Sequence, residues 1–133
     1  MTTAPDAGPS RLELALLQIL WEQAPLSAEQ VRERLAAGER GRSLAYSSVI
    51  TVLNILVDKG FATRVKQGRA FVFRPAVERR DVNRGFVGDL VDRLFDGSPA
   101  AMMLELLDAS PIDADELKQI QRLITQRKKE LSE

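Results

Sequence analysis

The stretch YSSVITVLNILVDKG, residues 46–60, decides the fold of this chain and the chemistry of its surface. At 3.6 residues per turn it predicts a helix with two distinct sides, which Gly60 ends because glycine accepts the left-handed conformation. One side is apolar and consists of Val49, Val52, Leu53 and Leu56, with Tyr46 at its margin. The other side carries the short polar or acidic side chains Ser47, Thr51, Asn54 and Asp58.

The polar side of this helix is unusual because a solvated helix face usually carries long charged side chains. Short hydroxyl and amide groups suit close approach to another surface, and they reach base edges when a helix lies in the DNA major groove. An ordinary, partly exposed helix in a small domain remains the alternative from this stretch alone. Asp58 fits the DNA interpretation poorly, unless it lies beyond the groove or repels non-cognate sequences.

The length of the chain allows one domain of ordinary size or one small domain with an appendage. The chain has 133 residues, 44% of them hydrophobic, with neither cysteine nor histidine. This excludes disulfides, thiol or histidine catalysis and almost every zinc or copper site, so we expect no enzyme activity, no metal and no cofactor. No apolar run approaches the roughly 20 residues that span a membrane, and the N-terminus does not resemble a signal peptide. We therefore expect a cytoplasmic protein without membrane insertion.

Charge is unevenly distributed, although the net charge of the whole chain is zero. Residues 40–74 contain seven basic residues and one acidic residue, Asp58, a local net charge of +6. The basic residues are Arg40, Arg42, Lys59, Arg64, Lys66, Arg69 and Arg74. A local excess of this kind beside a candidate recognition helix indicates a phosphate-backbone partner, whereas a lone hairpin with these residues would be an ordinary solvated surface.

Two shorter helices are predicted before residue 46, and residues 1–9 are expected to form a flexible arm. Ser10 with Glu13 and Ser27 with Gln30 have the spacing of capping boxes, which mark helix starts. Ala24-Pro25 separates the two helices, Leu26 is expected to pair briefly as a strand, and Trp21 is expected in the core.

After Gly60 the apolar period changes from 3.6 to 2, which predicts a β-hairpin. The alternating runs 61–66 and 70–74 flank a Gln67-Gly68 turn. Three helices followed by a hairpin is the order of a winged helix–turn–helix domain, here residues 10–75. In that architecture the third helix enters the major groove, and the wing contacts the backbone or the minor groove.

Residues 76–133 read as a separate helical segment. A helix is expected over about 77–96. Ser98 is expected to cap a second helix with Pro99 at its first position, and Asp113 a third, with Glu116 completing a capping box. A segment of this size cannot bury its apolar surface alone, so we expect a two-fold dimer; packing onto the first domain is the alternative. The expected dimer contacts are Phe86, Leu90, Leu94, Met102, Met103, Leu106, Leu107, Ile120 and Ile124.

Several runs together resemble the penicillinase-repressor family of BlaI/MecI-type regulators, to which the copper-responsive CopY repressors are related. They are LLQILWEQAPLSAEQVRERL, AYSSVITVLNILVDKGFATRVKQGRAFVFRP, LFDGSPAAMMLELL and DADELKQIQRLI. The resemblance covers about residues 12–131. It implies a mainly helical protein with a small β-hairpin wing, in which a winged-helix DNA-binding domain precedes a helical dimerisation domain. It also implies repression of transcription by a homodimer on a palindromic operator of double-stranded DNA.

The resemblance assigns recognition-helix and wing positions, and three departures from the family pattern qualify it. Ile55 replaces a frequent arginine, Glu105-Leu106 replaces the Asn-Phe bond that a membrane sensor protease cleaves, and the C-terminal cysteines of the copper-responsive members are absent. Cleavage by such a protease is thus an open expectation, and metal sensing through cysteine is excluded. With the basic residues nearby, the expected DNA-binding set is Arg42, Ser47, Ser48, Thr51, Asn54, Arg64, Lys66, Gln67, Gly68 and Arg69.

The leading functional hypothesis is a dimeric, sequence-specific repressor, and the runner-up is a winged-helix module that binds an acidic protein partner. The runner-up predicts that DNA is not retained at physiological salt. An enzyme is the third class, and it lacks any convergent set of carboxylate, lysine or serine side chains in the sequence.

Overall fold

The computed structural model describes residues 8–38 and 43–133 of the chain. In chain order the elements are α1 (Arg11–Gln23), β1 (Leu26–Ser27), α2 (Ala28–Ala37), α3 (Tyr46–Asp58), β2 (Ala62–Gln67), β3 (Ala70–Pro75), α4 (Arg79–Leu94), α5 (Pro99–Ala109) and α6 (Ala114–Leu131). The predicted fold class, mainly helical with a small β wing, is confirmed. Backbone contacts divide the chain into two compact units, residues 1–88 and 89–133, so the division falls within α4.

Both capping boxes predicted in the first unit are present. The Ser10 hydroxyl accepts from the Glu13 N–H while the Glu13 carboxylate accepts from the Ser10 N–H, both at 3.3 Å. Ser27 and Gln30 exchange the same pair of bonds at 3.2 and 2.9 Å. These boxes satisfy N–H groups that the first helical turn leaves without backbone partners, and so they fix where α1 and α2 begin.

The sheet has three antiparallel strands in the order β1-β3-β2. The strand stub expected at Leu26 is real, and it pairs with Phe73 of β3. On the other side of β3, Arg64 lies opposite Phe73 and Lys66 lies opposite Phe71. Gly68 closes the hairpin with φ +67°, a conformation that glycine adopts without the steric cost of a Cβ.

The core of the first unit brings helices and wing together. Its fully buried side chains come from α1, α2, α3 and β3, and the largest are Phe73, Leu16, Leu17, Leu20, Leu53, Leu56, Val31 and Val49. Core packing continues past the hairpin, because Val82 of α4 is also buried in this cluster. Pro9, expected in the flexible arm, is buried, and residues 1–7 lie outside the described chain.

Trp21 is half-buried and makes a specific hydrogen bond. Its indole Nε1–H donates to the Val77 carbonyl at 2.9 Å, and the Arg79 guanidinium lies 5.4 Å from the ring centroid. The residues just before α4 are therefore fastened to α1. A buried indole needs a partner for its N–H, which the expectation of a purely apolar core position did not include.

The second unit contains α5 and α6, and neither helix has a buried residue. Ser98 and Asp113 cap them as expected, by accepting from the backbone N–H groups of Ala101 and Glu116. The reciprocal bond of a capping box, expected from the Glu116 side chain, is not formed. Of the nine expected dimer contacts, Met102 and Ile120 are half-buried and the other seven are exposed.

In the first unit an ion pair links α1 to the residue that follows α3. Lys59, the residue after α3, donates to the Glu13 carboxylate of α1 at 2.8 Å, and the Glu13 side chain is only 11% exposed. Burial raises the pKa of Glu13, but the hydrogen bonds from Lys59 and Ser10 outweigh it and hold the pKa below its ordinary value. The ionised form therefore stabilises the fold at neutral pH.

No helix in residues 8–38 or 43–133 is long and apolar enough to cross a membrane.

We expect Glu13→Gln to lower the free energy of unfolding by about 1–3 kcal/mol at pH 7, since it removes the carboxylate charge that pairs with Lys59 yet keeps a side chain that completes the capping box. Because the folded-state pKa of Glu13 is depressed, its stabilisation is present above the ordinary pKa of about 4.5 and is lost as pH falls through the folded value. Urea unfolding followed by fluorescence of Trp21, the sole tryptophan, at pH 7 and pH 3 measures both.

The matched control for this experiment is Glu29→Gln, which removes an exposed ion pair with Arg32 within α2. Solvent screens such a pair, so this variant should unfold like the parent at pH 7. Equal losses in the two variants at pH 7 would contradict a special role for the Lys59–Glu13 link.

Candidate nucleic-acid interface

Helix α3 divides into a buried side and an outward side, as its sequence predicts. Val49, Leu53 and Leu56 are fully buried against the other helices and the wing, and Val52 is half-buried. Outward-facing positions are Ser47, Ser48, Thr51, Ile55 and Asp58, which are exposed, and Asn54, which is half-buried. The side chains on the outward side are not part of the buried core, so they are available to a partner.

The start of α3 is open to an anionic group. Its N-cap residue is Ala45, whose side chain has no acceptor for the first N–H groups of the helix. Such uncapped N–H groups, together with the helix dipole, favour phosphate at this end. Arg42, predicted to contact DNA, and Arg40 lie outside the described residues.

Thr51, on the outward side, donates its hydroxyl hydrogen to a hydrogen bond within the helix. Its Oγ1 donates to the Ser47 carbonyl one turn earlier at 2.8 Å. The oxygen lone pairs and the methyl group remain for a partner. Thr51 can therefore accept a hydrogen bond from a base or pack on a thymine methyl group, but it donates only if the internal bond breaks.

Asn54 is joined to the wing by Arg64 of β2. The Asn54 Oδ1 accepts from the Arg64 Nη1 at 2.5 Å, and the Arg64 guanidinium lies 5.4 Å from the centroid of the Phe71 ring on β3. Arg64, which is predicted to contact DNA, joins α3 to the hairpin through these two contacts. Sequence reasoning did not find this contact, because no local pattern joins positions ten residues apart in different elements.

The tip of the wing consists of Lys66, Gln67, Gly68 and Arg69, and all four residues are exposed. Within the described chain neither Lys66 nor Arg69 lies within 4.0 Å of a carboxylate, and the same holds for Arg64 and Arg74. Basic side chains that no internal acid neutralises are available to phosphate groups.

Ile55 and Asp58 complete the outward side of α3. Ile55 is 36% exposed, so it offers an apolar contact where a longer basic side chain would offer a charge. Asp58 stands at the far end of the helix from Ala45 and makes no ion pair in the described parts of the chain.

In residues 8–38 and 43–133 no group of three or more aspartates or glutamates is arranged to hold a metal ion.

Comparisons with known proteins place the chain in a family. The family model described as penicillinase repressor matches residues 9–126. The chain belongs to the penicillinase repressor family. It is 30% identical to the transcriptional regulator BlaI of Mycobacterium tuberculosis over 117 residues, which cover 86% of this chain and 81% of that protein. It is 21% identical to the penicillinase repressor of Bacillus licheniformis over 119 residues, 90% of this chain and 91% of that one.

One solved structure is similar over almost the whole chain. It is the complex structure of hsRosR-S1, with 18% identity, a TM-score of 0.54 and coverage of 98% of this chain and 99% of that one. This similarity concerns the fold alone. The penicillinase repressor family and the winged-helix fold, both predicted from sequence, are confirmed.

We expect Lys66→Met to weaken binding to all duplex DNA about equally, because a phosphate contact carries no sequence information. The slope of log K against log salt should fall in magnitude by about 1. Fluorescence anisotropy titrations at several salt concentrations measure this slope. Lys118→Met, which removes the same charge from α6 in the second unit, is the control and should leave the slope unchanged.

Proposed function

We propose that this protein is a dimeric, sequence-specific transcriptional repressor that binds a palindromic operator in double-stranded DNA. The observation that carries the proposal is the outward side of α3, whose short polar side chains lie beside a basic wing that has no acidic partner among the described residues. Membership of the penicillinase repressor family supports both DNA binding and repression.

In the proposed interface, one set of residues recognises the bases and another set binds the phosphates. Ser47, Ser48, Thr51 and Asn54 lie on the side of α3 that would enter the major groove, where base edges are distinguishable. Lys66 and Arg69 at the wing tip, with the uncapped start of α3, would bind phosphates and fix the register of the helix. Arg42 is proposed as a further phosphate contact.

The proposed dimer rests on the apolar surface of the second unit. Leu94 is 69% exposed, and Leu106, Leu107 and Ile124 are each more than 40% exposed. Helices with this much apolar surface in water are typical of an interface. Two copies related by a two-fold axis would present two α3 helices to two half-sites, which is why the operator is expected to be palindromic. Repression then follows from occupancy that excludes polymerase.

Binding to DNA from upstream of the protein's own gene is the direct test. We expect anisotropy titrations at two salt concentrations to show tight binding that survives an excess of random duplex, with two protomers per site. Specific affinity is expected to exceed affinity for random DNA by roughly a thousandfold or more. Should genomic fragments, selected genome-wide, bind only weakly and lose all binding at physiological salt, the repressor proposal would fail and the module for an acidic protein partner would replace it.

The dimer is tested separately with Ile124→Glu on α6. A carboxylate inside the proposed apolar interface should give a monomer in analytical ultracentrifugation, since an unpaired charge is costly to bury. Operator affinity should fall about 100-fold, because the second half-site is no longer tethered to the first.

The matched control is Gln126→Glu, which makes the same charge change on the polar side of α6. It should remain a dimer with the parent's operator affinity. A dimeric Ile124→Glu protein would contradict the assignment of this face as the interface.

A further inference from the structure

The Asn54 side chain makes a hydrogen bond that defines the orientation of its amide group. Its Oδ1 accepts from Arg64 Nη1 at 2.5 Å. A guanidinium has only donors, so the amide oxygen must face Arg64, and the flipped amide would set donor against donor. The assignment of oxygen and nitrogen at this position therefore follows from chemistry.

The exposed Arg64 side chain also contacts an aromatic ring of the wing. Strand register places Phe73 directly opposite Arg64 and Phe71 opposite Lys66, so Phe71 is a diagonal neighbour of Arg64 on the same face of the hairpin. The guanidinium lies 5.4 Å from the Phe71 centroid, within the range of a cation–π contact. Phe73 is fully buried, so β3, the strand that also carries Phe71, is anchored in the core.

The consequence is a fixed pattern of donors and acceptors on α3. With its oxygen turned to Arg64, Asn54 leaves its two amide hydrogens for a partner. Thr51, whose hydroxyl hydrogen is bonded to the Ser47 carbonyl, leaves lone pairs. The guanidinium next to Asn54 adds a positive charge that repels exposed base amino groups, namely N6 of adenine and N4 of cytosine.

We propose that Arg64 is a positioning residue that fixes Asn54 as a hydrogen-bond donor, so that Asn54 reads a base whose major-groove edge offers acceptors and no amino group. Such edges are N7 with O6 of guanine, or O4 of thymine. An unrestrained asparagine would instead be free to read adenine through its amide oxygen and nitrogen together. This inference rests on the proposed DNA-binding function and adds the base class that the site selects.

The test measures competition by operators that carry each single-base substitution. At the position where Asn54→Ala loses discrimination, the parent should prefer guanine or thymine over adenine and cytosine by about tenfold. Arg64→Met keeps an unbranched stem over Phe71 but has no donor, so it should lose this preference too. The double variant should lose no more discrimination than either single variant, because both substitutions remove the same Arg64–Asn54 interaction.

Two further variants separate positioning from charge. Lys66→Met removes one positive charge from the same face of β2, two residues away, and should weaken all operators equally while keeping the preference. Arg64→Lys restores a donor-only group and should recover most of the preference, which also keeps the test valid if Arg64→Met folds poorly.

Each outcome has a distinct meaning. If Arg64→Met weakens every operator equally and keeps the preference, Arg64 is only a phosphate contact and the inference is overturned. A parental preference for adenine or cytosine at this position overturns it as well. If the parent shows no sequence discrimination anywhere, the proposed function itself fails.

Discussion

The central strand β3 is the constraint on which the arrangement of the first unit depends. It pairs with β1 on one side and β2 on the other, so the short segment between α1 and α2 is tied to the hairpin. Phe73 in this strand is fully buried among side chains of the helices. The buried Phe73 ties the base of the wing to the same core that holds α3, and simultaneous contacts to groove and backbone require a defined relation between helix and wing.

The sequence predicted those features of the first unit that arise from local chemistry. Ser10 and Ser27 signalled helix starts, and the spacing of Val49, Leu53 and Leu56 gave the buried side of α3 correctly. The change of period after Gly60 gave the hairpin, and even the two-residue strand at Leu26 could be anticipated. In each case the signal lies within a few residues of its consequence, where hydrogen-bonding geometry and periodicity act directly.

Contacts between distant residues were not predictable in this way. Nothing in the local sequence joins Glu13 to Lys59, 46 residues apart, or Asn54 to Arg64 across an intervening turn. Trp21 was expected in the core, but its N–H required an acceptor that only the folded chain could identify as Val77. The basic residues of the wing were visible as a cluster in the sequence, but the hydrogen bond from Arg64 to Asn54 of α3 joins two elements and has no local sequence signal.

The two sides of α3 are chemically independent of each other. Val49, Leu53 and Leu56 hold the helix in the core, whereas Ser47, Thr51 and Asn54 contribute no buried apolar surface to the fold. Under the proposed function, gene duplication followed by substitution on the outward side would change which operator a copy recognises without altering the buried side of the helix. A scaffold of this kind can diversify into many regulators, because new specificity and the retained fold are selected at different residues.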